Sequence, residues 1–266
     1  MAKLRVDKIA APIVQDEFTG SVYFDGSSDY LSLPVSSDFQ FGSDDFTIEC
    51  WAYALDEGTD DILGIYNTGD NRRTFALRKD QTESVQFLFS SNGSSGTSIS
   101  SAESIVQLRT WHHYAVVRRN LVYEIYFDGV KVATKSDSTD AIYTNNDDGL
   151  RIGSSYNTDF HGYISTARIC KGHAVYTGNF TVPTRELPVH KAPPKGVVFP
   201  AADNVTVLLA CQSSTDATAD SSGRHTITAN GDVHAQSANP GLFRRTNISS
   251  TTTENTGSVY FDGTDD

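Results

Sequence analysis

Apolar side chains in this chain recur with a period of two, and almost no segment shows a helical period; that restricts the fold more than any other feature. Phe46-Thr-Ile-Glu-Cys-Trp-Ala-Tyr-Ala54 places Phe46, Ile48, Cys50 and Ala52 on one face of a strand, because successive side chains point to opposite sides. Trp111–Arg118 and Leu121–Phe127 are rich in β-branched and aromatic residues, which fit a pleated surface. Asp128-Gly129 then predicts a tight hairpin into Val130–Val132, since both residues tolerate the positive φ such a turn needs. Further strands are predicted at Ser84–Ser90, Leu150–Gly153 and Gly162–Cys170, while the Ser/Gly/Asn/Asp clusters at Ser90–Ser101 and Ser136–Gly149 read as loops. Many short strands, frequent turns and no helix predict an all-β fold, an antiparallel β-sandwich.

Composition narrows the function. With 33 acidic against 21 basic residues the net charge is −12, which opposes nucleic acid and an anionic membrane surface as partners. No run of about 18 apolar residues is present to insert into a bilayer. Met1–Ala10 carries charge where a signal peptide needs its apolar stretch, so no signal peptide is expected. Cys50, Cys170 and Cys211 lie in apolar, strand-like runs without metal spacing and are expected buried and reduced, a Cys50–Cys170 disulfide being the lesser alternative. The pair His112-His113 lies within a strand pattern, where structural roles are expected.

The chain also repeats itself. Thr19-Gly-Ser-Val-Tyr-Phe-Asp-Gly26 recurs as Thr256-Gly-Ser-Val-Tyr-Phe-Asp-Gly263, 237 residues further on, a domain-sized period. Five of the eight prolines fall between Pro183 and Pro200, as in a stiff linker. The expected organisation is an N-terminal arm at 1–18, a sandwich at 19–188, a Pro-rich linker at 189–202 and a partial second unit at 203–266. That second unit holds too few strands to bury a core alone, so its Val205, Val207, Leu209 and Val259 are expected to contact another chain.

Several motifs in order resemble the laminin-G-like, concanavalin A-like jelly-roll family. They are Val22-Tyr-Phe-Asp-Gly26 with Asp29-Tyr-Leu31, Asp45-Phe-Thr-Ile-Glu-Cys-Trp51, Trp111-His-His-Tyr-Ala-Val-Val-Arg118, Tyr126-Phe-Asp-Gly-Val130, Leu150-Arg-Ile-Gly153 and Phe160-His-Gly-Tyr-Ile-Ser-Thr-Ala-Arg168. Lys171–Pro183 looks like the closing segment of versions found in bacteriophage and marine microbial proteins, and Leu4-Arg-Val-Asp-Lys-Ile9 resembles the starts of some phage tail-fibre and virion proteins. Asn204–Leu209, Asp220–Gly223 and Gly231–Val233 look like the family's opening strand and loops, which is why a second unit is expected there. The resemblance implies a jelly roll and a non-enzymatic protein of the virion, assembled in the host cytoplasm. Its partners would be other virion proteins or further copies of itself, and its role adhesion to a cell-surface glycan or decoration of a capsid. A purely structural assembly protein is the alternative, and a glycan-active enzyme ranks third. Ser165-Thr166 stand where the family commonly carries an acidic pair, which weakens any role resting on those carboxylates.

Three chemistries compete for the loops. Retaining glycosidases hold two carboxyl groups about 5–5.5 Å apart; Glu124 and Asp128 have the wrong separation for the jelly-roll glucanase pattern and Glu49 stands alone, so hydrolysis is not expected. Calcium favours oxygen ligands from acidic loops, and Asp29, Asp147, Asp148 and Asp159 are the candidate ligands. Sugar binding needs planar hydrogen-bonding groups and aromatic faces. The loops Gly64–Arg73 and Ser154–His161 offer Tyr66, Asn67, Asp70, Asn71, Arg72, Tyr156, Asn157 and Asp159, including a Tyr-Asn-Thr triplet in each.

Overall fold

The computed structural model of the protein describes residues 18–136, 141–187 and 205–241. In chain order its strands are β1 (Ser21–Asp25), β2 (Tyr30–Ser32), β3 (Phe46–Ala54), β4 (Asp60–Asn67), β5 (Arg72–Lys79), β6 (Val85–Phe89), β7 (Thr97–Ser100), β8 (His112–Arg119), β9 (Val122–Phe127), β10 (Val130–Ser136), β11 (Arg151–Ile152), β12 (His161–Lys171), β13 (Thr206–Ala210), β14 (Thr228–Asn230) and β15 (His234–Gln236). They form two antiparallel sheets, one ordered β10-β9-β8-β3-β12-β1-β15 with β13 also on β12, the other β14-β2-β11-β4-β5-β6-β7. This is the jelly-roll sandwich that alternation and turns predict.

The inner faces meet in one core. Phe46, Ile48, Cys50 and Ala52 point inward together, as their period-two spacing requires, and meet Leu63, Ile65, Phe75 and Phe87 of the opposite sheet. Rings interdigitate across the gap: Phe41 stacks on Phe46 at 4.4 Å and Phe46 lies 6.0 Å from Phe87. Each such side chain, fully buried, stabilises the fold by roughly 1.5–3 kcal/mol. Asp128 and Gly129 both adopt positive φ, 48° and 80°, in the hairpin between β9 and β10. The three cysteines are buried and free.

The outer face of the larger sheet is half covered. Tyr176 and Phe180 stack on each other and pack over Ala115, Val117 and Tyr126. Beneath this strap Glu49 is fully buried, accepting hydrogen bonds from Tyr176 Oη at 2.6 Å, from His113 at 3.1 Å and from Arg168. His112 in turn binds the Asp128 carboxylate at 2.7 Å, so both histidines are structural.

Residues 205–241 differ from their expected role. They form no separate unit but complete this sandwich: β13 pairs with the C-terminal half of β12, β15 with β1 and β14 with β2. Val207, Leu208 and Leu209 are buried by their own chain, where an intersubunit contact was expected. The physical reason lies in β12, whose eleven residues are longer than β1 can pair. Without β13, an apolar strand edge would stay open. β13 and β1 therefore lie end to end along β12, and at their junction Ser165 Oγ donates to the Gly20 carbonyl while Thr166 N–H donates to Cys211 O. Residues 1–17, the whole 189–202 linker and Val259 lie outside the described residues, but Phe18 is buried edge-on to Trp51 at 5.9 Å.

The segment 64–73 also differs from the loop expected there. Tyr66 belongs to β4 and Arg72 to β5, leaving only 68–71 as the turn. The acids Asp60 and Asp61 disguise the start of β4, because both are buried beside cations: Asp60 lies 3.1 Å from the buried Lys79 and Asp61 lies 4.0 Å from Arg78.

Candidate functional site

The structure brings the two Tyr-Asn-Thr segments together. Asn157 Oδ1 accepts from Thr68 Oγ1 at 2.7 Å, and its Nδ2 donates to the Tyr66 carbonyl. Asn67 and Asp70 close the β4–β5 turn on each other, Nδ2 to Oδ2 at 3.0 Å. Asn71, at φ 57°, accepts from Arg73.

The individual roles then diverge. Tyr66 does not offer a stacking face: its ring is buried against Ala76 and Leu88, and burial pushes its phenol pKa up. Arg72 is held among carboxylates, 3.7 Å from Asp70, 3.4 Å from Asp147 and 3.4 Å from Asp148. Tyr156 stays partly exposed in a left-handed conformation (φ 82°), its hydroxyl fixed to Gly149 O at 2.7 Å. The Arg151 guanidinium lies 3.6 Å above its ring and 4.1 Å above that of Tyr30.

An open depression of about 530 Å³ surrounds this sandwich of rings. Ser28, Tyr30, Arg151, Ser154, Tyr156, Asn157, Asp159, Asn230 and Gly231 line it. Asp159 borders it with one oxygen accepting from Ser28 N–H at 2.9 Å. Tyr30, Arg151 and Asn230 escape sequence reasoning because they come from β2, β11 and β14, strands that meet only through pairing in the smaller sheet. The pattern Tyr-x-Ser in β2 beside Arg-Ile in β11 carried an outward-facing signal, but nothing along the chain set those two strands side by side. Two aromatic faces and a guanidinium, ringed by amide, hydroxyl and carboxylate groups, can stack on an apolar ring face and hydrogen-bond a ring of hydroxyls.

The four acids expected to hold calcium do not converge. Asp147 and Asp148 face Arg72, whereas the buried Asp29 uses its oxygens to accept from Asp25 N–H at 3.1 Å and Asp232 N–H at 2.7 Å. Among the described residues no group of three or more His, Cys, Asp or Glu side chains is placed to hold a metal ion. The carboxylates weighed for hydrolysis are engaged as well: Glu49 is buried under the strap, and Glu124 accepts from Tyr126 Oη at 2.7 Å and Lys131 Nζ at 3.0 Å.

This sandwich belongs to the laminin-G-like jelly rolls, and its family is Laminin_G_3 of the concanavalin A-like lectin/glucanases superfamily, which matches residues 25–174. No curated protein matches the chain in sequence. Among solved structures it is similar to a proposed carbohydrate-binding protein from Bacteroides ovatus, with TM-score 0.62 and 17% identity over 84% of this chain and 61% of that one. The chain thus spans less than two thirds of that relative. Mouse laminin α1 domains LG4-5 align with TM-score 0.42 and 14% identity over 66% of this chain and 47% of theirs. The sialidase CBM40 module of Ruminococcus gnavus bound to sialyllactose aligns with TM-score 0.44 and 15% identity, over 54% of this chain and 85% of the module. At these identities the likeness shows the fold.

Proposed function

We propose that the sandwich binds carbohydrate, without hydrolysing it, in the depression built around Arg151. One observation carries the reading: a guanidinium held between the rings of Tyr30 and Tyr156, at 4.1 and 3.6 Å, with Asn157, Asp159 and Ser28 at the rim. Cation–π contact on both sides fixes the guanidinium plane before any ligand arrives, so its donors need little ordering on binding. The Bacteroides ovatus protein of the same fold, itself described only as a proposed carbohydrate-binding protein, supports the reading by analogy. That the module sits on a bacteriophage particle, as tail fibre or capsid decoration, is part of the proposal and rests on the sequence resemblance.

A glycan array probed with and without calcium tests the proposal. Wild type should give hits unchanged by chelator, and Tyr156→Ala should weaken them about tenfold, equivalent to about 1.4 kcal/mol. Near-wild-type unfolding of the variant would show the loss to be local. An array without hits, or hits indifferent to both Tyr156→Ala and Arg151→Ala, would overturn the assignment.

A further inference from the structure

Beyond that depression, the outer face of the larger sheet carries a row of rings that crosses five neighbouring segments. Trp111, just before β8, lies 5.6 Å from Tyr53 of β3; Tyr53 lies 5.8 Å from Tyr163 of β12; Tyr163 lies 5.1 Å from Tyr23 of β1; and Tyr23 lies 5.3 Å from His234 of β15. The row follows from register. Tyr53 is opposite Tyr163, Tyr163 opposite Tyr23 and Tyr23 opposite His234, so each ring stands directly across from the next on the same face. No pair is stacked face to face; interplanar angles run from 51° to 78°.

The row ends differently on its two sides. Trp111 is buried in one cluster with Phe18 and Trp51, with Val182 packed against it. Tyr163 and Tyr23 remain partly exposed and His234 is exposed. Partly exposed rings lined up across neighbouring strands form one contiguous aromatic face, the kind of surface that serves recognition. Polar atoms border it: Tyr23 Oη lies 3.5 Å from His161 Nε2, and His161 Nδ1 lies 2.8 Å from the Asp56 carboxylate.

We infer that this row is a second binding surface, which takes an extended, uncharged polysaccharide chain laid across the strands. With strands about 4.8 Å apart, the four positions that are not buried, Tyr53, Tyr163, Tyr23 and His234, span roughly 14 Å, a run of consecutive sugar rings and more than a monosaccharide could use. Charge selects the class. Asp25, Asp29 and Asp56 all act electrostatically on Tyr23, in a chain of net charge −12, so an acidic polymer meets like charge there. Tyrosine hydroxyls and the imidazoles supply donors and acceptors for sugar hydroxyls between ring contacts.

Affinity electrophoresis of the full chain in native gels separates this surface from the Arg151 depression. The gels contain mixed-linkage β-glucan, xylan or galactomannan as neutral probes, and alginate as the acidic one. Wild type and Tyr156→Ala should be retarded equally by at least one neutral polymer and unaffected by alginate. Tyr163→Ala should lose about tenfold in affinity, the contact of one ring. His234→Ala, a change at an exposed position that leaves folding intact, should weaken retardation in the same direction. Retardation by alginate alone, retention in both Tyr163→Ala and His234→Ala, loss in Tyr156→Ala, or no retardation by any neutral polymer would overturn the inference; the last result leaves the Arg151 depression to the glycan array.

Discussion

Replacing Glu49 by glutamine tests whether the buried cluster under the strap holds the larger sheet together. Burial alone would raise the pKa of this carboxyl, but the Arg168 guanidinium and the hydrogen bonds from His113 and Tyr176 outweigh it and hold the group at about 2, below its ordinary 4.5. A difference of that size between folded and unfolded chain corresponds to about 3 kcal/mol at neutral pH, at 1.36 kcal/mol per unit. Removing one partner of a buried ion pair costs a similar 3–5 kcal/mol, since Arg168 would stay buried without its counter-charge. Glu49→Gln nearly keeps the volume, removes the charge and turns one of the two accepting oxygens into a donating NH2.

The pH dependence has a definite sign. A folded pKa below the unfolded one makes the unfolded chain bind more protons, so the contribution is complete above about pH 4.5 and is lost as pH falls toward about 2. Urea unfolding at pH 7 should show the variant less stable by about 3 kcal/mol with an unchanged m-value, and the gap should shrink by roughly 1.4 kcal/mol on reaching pH 3.5. A variant as stable as wild type at pH 7, or a gap that stays constant between pH 7 and 3.5, would refute the reasoning.

Two further changes probe the backbone. Gly153 has φ 83°, and a Cβ there would stand 2.3 Å from the ring of Phe24, so Gly153→Ala should cost more than about 2 kcal/mol. Gly178→Ala, where a Cβ meets nothing within 4 Å, should stay within about 0.5 kcal/mol; thermal melts that fail to separate the two would contradict the packing described. Ending the chain after Leu187 removes β13, β14 and β15 and should abolish cooperative unfolding, which a sharp thermal transition in the truncated protein would disprove.

Strands with strict alternation were legible before any coordinates. Phe46–Ala54 has the bounds its apolar spacing gives, and Asp128-Gly129 turns where its φ preferences place it. β4 was not, because it opens on two adjacent acids, Asp60 and Asp61, whose partners Lys79 and Arg78 come from the next strand. Of the nine residues lining the depression, Tyr156, Asn157 and Asp159 are named from the sequence. Tyr30, Arg151 and Asn230 join them through long-range pairing, and local sequence carries no record of that. Tyr66 shows the converse: its triplet matches that of Tyr156, yet residence on a strand buries it. The same limit hid the aromatic row, whose members stand on different strands and become neighbours only through register.

The end-to-end placement of β13 and β1 along β12 sets an order of events during synthesis. β12 is complete at Lys171, whereas β13, which covers its C-terminal half, ends at Ala210. At 5–20 residues per second, that interval lasts roughly 2–8 s. Through it the C-terminal half of β12 offers unpaired backbone groups, the kind of template on which neighbouring nascent chains join. The second copy of the β1 sequence, Thr256–Gly263, leaves the ribosome later still, after β15 has been made. Vectorial synthesis therefore gives the first copy time to take its place between β12 and β15 before an identical rival exists. Refolding from denaturant removes that head start.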